Sequence, residues 1–163
     1  MKLATGWIAL GVAALLPAGL TACSTGTGTV KITVDDNLKM DHIHGLGVDP
    51  ADGVLYAATH NGLFRVSSQG KATRVTSQRQ DTMGFTVVGP NTFLGSGHPD
   101  RADNPDLPSQ LGLIRSTNAA RTWKAVSLVG EADFHALHVA HGVLYGWDSS
   151  TGELMASSTQ GRM

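Results

Sequence analysis

The sequence predicts a protein built almost entirely of β-strands. Glycine accounts for 20 of its 163 residues and only 15% of the residues are charged, a composition that favours strands and turns over exposed helices. After residue 22, no stretch places apolar residues at the i, i+3, i+4 and i+7 spacing of an amphipathic helix. The length is that of one ordinary domain of about 100–200 residues.

Residues 1–22 have the pattern of a secretory signal peptide. Lys2 supplies a positive charge, and residues 7–16 form an uncharged apolar run that Pro17 interrupts. As a helix, this run is too short to span the roughly 30 Å hydrocarbon core of a bilayer. The single cysteine of the chain, Cys23, completes the tetrapeptide LTAC, which resembles the bacterial lipobox. In that signal the cysteine is lipidated and becomes the first residue of the mature protein.

We therefore predict a signal peptide at 1–22, a flexible tether at 23–29 that begins with lipidated Cys23, and a domain at 30–163. The lipid would hold this domain on the extracytoplasmic side of the bacterial cell membrane. An ordinary secretory peptide or a short membrane anchor, with an incidental cysteine, is the alternative. The net charge of −1, without a basic run, gives no electrostatic field for nucleic acid binding.

The domain contains an internal repeat. The stretches HIHGLGVDPADGVLYAATHNGLFRVS, TMGFTVVGPNTFLGSGH and DFHALHVAHGVLYGWDSSTGELMASS align so that His44, Gly84 and His135 correspond. The same alignment matches Leu55, Phe93 and Leu144 in the next strand. A repeat of roughly 40–50 residues with several short strands is typical of propeller blades. We predict a β-propeller of four-stranded blades, with about three blades present in an incomplete ring.

The first unit shows how each blade divides into strands. Strands are predicted at 44–48, 54–59, 62–67 and 72–78, and the turn sequence DPADG separates the first two. The alternating segment VKITV, residues 30–34, is predicted to be the strand that would complete the last blade of a ring. Since a whole ring needs six or seven blades, about 250–350 residues, we interpret the chain as truncated. The alternative is a short, open β-sheet protein.

A turn motif lies between the third and fourth strands of the second unit. The sequence RSTNAARTWKAV resembles the Asp-box of BNR-repeat propellers, Ser-x-Asp-x-Gly-x-Thr-Trp. Asn takes the place of Asp and can still form an Asx-turn, whereas Ala takes the place of a Gly with positive φ, at a cost of about 1 kcal/mol. The motif residues are Ser116, Asn118, Ala120, Thr122 and Trp123.

Residues 40–163 are similar to the bacterial BNR-repeat, sialidase-like lipoproteins that are often labelled glycosyl hydrolases. The resemblance implies an extracytoplasmic propeller, which serves many functions. Sialidases use an arginine cluster, a Tyr nucleophile with a Glu, and an acidic acid/base. Here the usual Phe/Tyr-Arg-Ile-Pro is missing, Arg65 and Arg115 are expected on solvated faces, and Glu131 and Asp133 in a turn. We therefore expect a binding or scaffold module for a carbohydrate, protein or metal ligand, with sialidase-like hydrolysis as the alternative.

Five histidines occupy ends of predicted strands that share one face of a propeller, opposite the Asp-box turns. They are His42, His44, His60, His98 and His135. Imidazole is a common ligand of zinc and copper, so this set predicts a divalent-metal or polar-ligand site. The alternative is that the repeat copies a histidine with a structural role.

Other residues accompany this set. Carboxylates nearby in sequence are Asp41, Asp81 and Asp133, whereas His138 and His141 are expected at the surface or in packing. The insertion at 98–110 is predicted on the same face, as a lid or partner-binding loop or as a solvated loop without a specific role.

Overall fold

A computed structural model describes residues 29–34 and 40–159. The predicted signal peptide, Cys23 and most of the predicted tether lie outside these residues. The described part is all-β, as predicted, with twelve strands in three sheets, none of which closes on itself. It contains no helix long and apolar enough to cross a membrane.

The strands follow one another with short connections. In chain order they are β1 (Thr33–Val34), β2 (Ile43–Val48), β3 (Leu55–Thr59), β4 (Gly62–Val66), β5 (Lys71–Arg74), β6 (Asp81–Gly89), β7 (Thr92–His98), β8 (Leu113–Ser116), β9 (Lys124–Ser127), β10 (Phe134–Ala140), β11 (Val143–Asp148) and β12 (Glu153–Ser157). The first sheet has the order β1-β5-β4-β3-β2, the second β6-β7-β8-β9 and the third β10-β11-β12. Apart from β1, every strand pairs antiparallel with its neighbour in sequence.

Strand β1 lies at the edge of the first sheet. It pairs in parallel with β5, so that Thr33 lies opposite Lys71, and the Thr33 N–H donates to the Gly70 carbonyl at 2.8 Å. In this structure the β1 part of segment 30–34 extends the first sheet, and its pairing with a last blade stays a prediction. Val34 packs against the buried cluster of Phe64, Val66 and Ala72, and this apolar contact accounts for its position.

Each sheet has a β-bulge near the start of its first antiparallel strand. The extra residues are His44 in β2, Met83 in β6 and His135 in β10. Met83, and not Gly84 as the repeat alignment predicted, is therefore the equivalent of the two histidines. The alignment is therefore off by one residue along β6, which has a second bulge between Val87 and Gly89.

Two apolar clusters join the sheets. At the first joint, between the first and second sheets, Tyr56 packs edge-on against Phe93, with ring centroids 4.8 Å apart. At the second joint, Leu94 of the second sheet packs with Phe134 and Leu137 of the third. A Cβ on Gly84 would lie 2.5 Å from the Phe134 carbonyl oxygen, so the close approach of β6 and β10 requires a glycine there.

The Asp-box turn is held by its own side chains. Ser116 Oγ accepts the Ala120 N–H at 2.9 Å, and Asn118 Oδ1 accepts the Thr122 N–H at 2.9 Å. Ala120 has a φ of 63°, the left-handed conformation for which the motif normally uses glycine. The Trp123 ring lies against the first-joint cluster, 3.3 Å from the position of a Cβ on Gly95. The turn thus supports the packing of two sheets.

Candidate functional site

Six polar side chains meet where adjacent sheets join, and we call this set the histidine face. Its members are His44, His60, Asp81, His98, Asp133 and His135. They form two triads, each with ligand-type atoms that all lie within 4.8 Å of one another. The first-joint triad is His44, His60 and Asp81, and the second-joint triad is His98, Asp133 and His135.

The same strand positions supply both triads. In β6, Asp81 directly precedes Thr82, which is the last regularly paired residue before the bulge. In β10, Asp133 directly precedes Phe134, which is likewise the last regularly paired residue before the bulge. His60 and His98 lie one residue beyond Thr59 and Gly97, the equivalent residues at the ends of β3 and β7. At each joint, a histidine ending the second antiparallel strand of one sheet thus faces an aspartate beginning the next sheet.

The first-joint triad contains one direct hydrogen bond. His60 Nδ1 lies 2.9 Å from Asp81 Oδ1, and because a carboxylate only accepts, Nδ1 carries the hydrogen. This leaves the lone pair of His60 on Nε2. The His44 ring packs edge-on against the His60 ring, with centroids 4.3 Å apart. A hydrogen-bonded carboxylate of this kind is the usual support of a metal-binding histidine.

The surroundings of His44 favour its neutral form. Burial lowers its pKa, as does the nearby His60, while Asp81 opposes both. Its Nε2 atom is buried and has no hydrogen-bond partner among the described residues. A neutral imidazole with a free nitrogen is the form that binds a metal ion.

Asp133 is the centre of the second-joint triad, and only 6% of the residue is exposed. Its Oδ2 atom accepts hydrogen bonds from His135 Nε2 at 2.8 Å and from Ser149 Oγ at 3.1 Å. His98 Nε2 approaches the same oxygen at 3.6 Å. The other oxygen, Oδ1, is buried without a hydrogen-bond partner in the described part of the chain.

The two triads belong to one face. Asp81 and His98 lie opposite each other on β6 and β7, so the second sheet contributes one residue to each triad. His135 is near enough to His44 to contribute to the lowering of its pKa. At the other end of the second sheet, the Ala119 N–H of the Asp-box turn donates to the Asn91 carbonyl in the turn between β6 and β7.

His42 lies beside the histidine face but outside both triads. Its side chain is 72% exposed, its Nε2 atom is 3.9 Å from Asp41 and its ring centroid is 5.1 Å from that of His60. Of the carboxylates suggested by sequence, Asp81 and Asp133 therefore join the triads and Asp41 does not. His138 and His141 are both exposed and belong to neither triad.

The insertion at 98–110 contributes to the site through its backbone. The Ser109 carbonyl accepts a hydrogen bond from His98 Nδ1 at 2.8 Å, which orients that ring. The insertion also bonds to itself, since Arg101 Nη1 donates to the Leu107 carbonyl at 2.6 Å. Sequence reasoning placed the insertion beside the histidines but gave no means of finding this bond.

A polar cavity of about 280 Å³, separate from the histidine face, lies at the first joint and was not predicted. Arg65, Arg74 and Arg121 line it together with Tyr56 and Asp52. Arg115, in contrast, lines a separate cavity of about 120 Å³ at the second joint. Glu131 is exposed in a turn, whereas Asp133 is bonded to His135. The two arginines and two carboxylates considered from sequence thus do not form one site.

Comparisons with known proteins add little to this geometry. No protein-family model and no curated protein matches the chain. Among solved structures, the computationally designed Ika4 protein is similar over 76% of this chain and 95% of its own, with 7% sequence identity and a TM-score of 0.35.

Proposed function

We propose that this chain is a lipid-anchored, extracytoplasmic binding module of the β-propeller type, and that the histidine face is its ligand site. The blade assignment is supported by the order of the strands, since the second sheet is a four-stranded antiparallel meander and the first contains the same meander plus β1. The position of Cys23 in LTAC supports the anchor.

One observation carries the assignment of the site. The pairing of a histidine with the aspartate of the next sheet occurs at both joints, between His60 and Asp81 and between His98 and Asp133. Beside each pair lies a buried atom that has no hydrogen-bond partner among residues 29–34 and 40–159, namely His44 Nε2 at the first joint and Asp133 Oδ1 at the second. Since buried polar atoms in folded proteins are almost always hydrogen-bonded, their arrangement here favours a bound ligand over a structural role.

The test is a ligand screen that reports on these rings directly. The full chain, labelled with ¹⁵N-histidine, is titrated with zinc, with magnesium and with neutral and acidic monosaccharides, and the imidazole resonances are followed by NMR. We expect at least one ligand to shift resonances that disappear in His60→Gln or His98→Gln. His141→Gln, an exposed ring outside both triads, is the matched control. If no ligand moves the resonances of the face, the proposed site is wrong.

Sialidase-like hydrolysis is the second candidate, and the cavity with three arginines is the observation in its favour. Such a cavity suits a carboxylate, and Tyr56 lines it. Burial and the neighbouring Asp52, however, raise the pKa of Tyr56, which disfavours the phenolate that a tyrosine nucleophile requires. Release of a fluorophore from a sialoside by the wild type, and its loss in Tyr56→Phe, would favour the enzyme. We expect no release.

A further inference from the structure

We propose that the second-joint triad binds one divalent transition-metal ion through His98, Asp133 and His135. This inference rests on the proposed function, because it names the ligand class of one half of the histidine face. Three protein ligands are the usual set of an open zinc site, in which water takes the fourth position.

The spacing of the ligand atoms fits such an ion. In a tetrahedral zinc site with bonds of about 2.0–2.1 Å, neighbouring ligand atoms lie about 3.3–3.4 Å apart. His98 Nε2 and Asp133 Oδ2 are separated by 3.6 Å, His135 Nε2 and Asp133 Oδ2 by 2.8 Å, and the three ligand atoms of the triad all lie within 4.8 Å of one another. Shifts of about an ångström in the two rings would complete the coordination.

The hydrogen-bond pattern of His98 points to a cation between the two side chains. Its Nδ1 atom faces the Ser109 carbonyl at 2.8 Å, and a carbonyl only accepts, so this nitrogen carries the hydrogen. In the neutral ring, Nε2 then presents a lone pair to the Asp133 carboxylate. Two electron-rich atoms at this distance repel each other unless a positive charge lies between them, and either a proton or a metal ion supplies that charge.

Burial of Asp133 strengthens this requirement. Its side chain is only 9% exposed, its Oδ1 has no hydrogen-bond partner within the described residues, and its Oδ2 accepts from His135 and Ser149. A buried carboxylate is costly to leave charged, and a metal ion on Oδ2 would offset its negative charge. Ser149 would remain as the hydrogen bond that orients the coordinated carboxylate.

His135 has to change its tautomer in order to bind. It now donates its Nε2 hydrogen to Asp133. As a ligand through Nε2, the ring gives this proton to solvent and takes one up on Nδ1, so the total number of protons on the ring is unchanged. Its position in the β10 bulge fixes the ring beside Asp133 before and after this exchange.

The ligand set also selects the class of metal. Two imidazoles and one carboxylate suit zinc or copper, whereas magnesium and calcium prefer oxygen ligands. We therefore expect binding of zinc and copper(II) and no comparable binding of magnesium.

The test is a zinc titration of the full chain in detergent by isothermal calorimetry, with magnesium titrated in parallel. We expect His98→Gln and His135→Gln each to weaken one zinc-binding event at least about tenfold, as loss of a ligand should. His141→Gln is the matched control and should bind as the wild type does. His60→Gln identifies any separate event at the first joint.

A second measurement identifies the ligands of the zinc ion without relying on the binding affinity. X-ray absorption of the zinc-loaded wild type should show nitrogen and oxygen ligands at about 2.0–2.1 Å with imidazole scattering, reduced in His98→Gln. Unchanged affinity and stoichiometry in both glutamine variants would overturn the proposal. If a sugar shifts the imidazole resonances and zinc does not, the metal site is wrong while the binding module stands. If nothing shifts them, both are wrong.

Discussion

Asp81 and Asp133 hold the same position in successive sheets. Each lies two residues before the extra residue of a β-bulge, which is Met83 in β6 and His135 in β10. Each also faces the histidine that ends the second antiparallel strand of the preceding sheet, at 2.9 Å for His60 and 3.6 Å for His98. The difference in distance indicates that the first pair is a direct hydrogen bond, whereas the second is not. The two joints therefore differ in chemistry although they share their geometry.

The hydrogen bond at the first joint should contribute measurably to stability. We expect a double-mutant cycle of His60→Gln and Asp81→Asn to give a coupling free energy of about 0.5–1 kcal/mol, small because both side chains are partly exposed. Chemical denaturation of the four proteins in the presence of a chelator measures it. Zero coupling would mean that the pair does not hold the sheets together.

Substitution of Gly84 should separate the second and third sheets. A Cβ there would meet the backbone of Phe134 at 2.5 Å, and backbone cannot move aside cheaply. We expect Gly84→Ala to lower the free energy of unfolding by about 1–3 kcal/mol. Gly89→Ala, whose Cβ would lie 3.9 Å from the nearest atom, is the control on the same strand and should cost less. Equal losses in both variants would contradict the packing described for this joint.

In the Asp-box turn, replacing Ala120 by glycine should change the stability of the protein very little. Ala120 has a φ of 63° and is 4% exposed, so Ala120→Gly relieves backbone strain but removes a buried methyl group. We expect these effects to cancel within about 0.5 kcal/mol. Ala58→Gly, at a fully buried position in β3, should instead cost more than about 1 kcal/mol. Denaturant melts of the two variants make the comparison.

Asp148 should make the third sheet sensitive to acid. Burial alone would raise its pKa, but hydrogen bonds from the Asp133 and Ser150 backbones and from the Ser150 and Thr151 hydroxyls outweigh burial and lower it. A lowered pKa in the folded state adds stability above the ordinary value of 3.8, and this stability is lost as pH falls through the lowered value.

We therefore expect the free energy of unfolding of the wild type to be about 1–3 kcal/mol higher than that of Asp148→Asn near pH 7. This difference should disappear below about pH 4. Thermal melts across pH measure the gap. Asp106→Asn, at an exposed position, should show no such gap. A gap that stays constant down to pH 2 would mean that the charge of Asp148 contributes nothing.

The anchor prediction rests on Cys23. Mass spectrometry of the membrane fraction should find a diacylglyceryl adduct on this residue, and Cys23→Ala should release the protein from membranes. The near-neutral net charge of −1 provides no electrostatic attraction to anionic lipids in its place. A soluble wild type without the adduct would contradict the prediction.

The limits of β2 and β3 were predictable because turn residues mark them, whereas the strand predicted at 72–78 ends at Arg74. The DPADG sequence separated two strands that the structure places at Ile43–Val48 and Leu55–Thr59, within one residue of the prediction. The partners of Leu55, Phe93 and Leu144 also lie in register, opposite Val48, Val87 and Val139. Local turn chemistry and apolar alternation carry this information.

Residues of the site were harder to predict because bulges and long-range approach decide them. Four of the five predicted histidines lie in the two triads, where His44 meets His60 and His98 meets His135. His42, in contrast, points out to solvent, and the position of β1 depended on an apolar contact with the first sheet that no local pattern reveals. Asp81 and Asp133 each lie two residues before a bulged residue. An alignment that matched the bulges would have shown that these two aspartates are equivalent.

The joints have a consequence for how the chain folds. Their hydrogen bonds link residues 21 apart for His60 and Asp81, 38 apart for Ser96 and Phe134, and 42 apart for Asp49 and Asn91. Each sheet can therefore dock on the one before it as soon as a few dozen more residues of the chain have become available, N-terminus first.

When the sheets dock one after another, the sheet that has docked last is uncovered on one side at every stage. In the third sheet that side carries apolar groups, with Trp147 42% exposed and Leu154 74% exposed. This exposed apolar surface is thus where docking of a further sheet competes with association with another chain during folding.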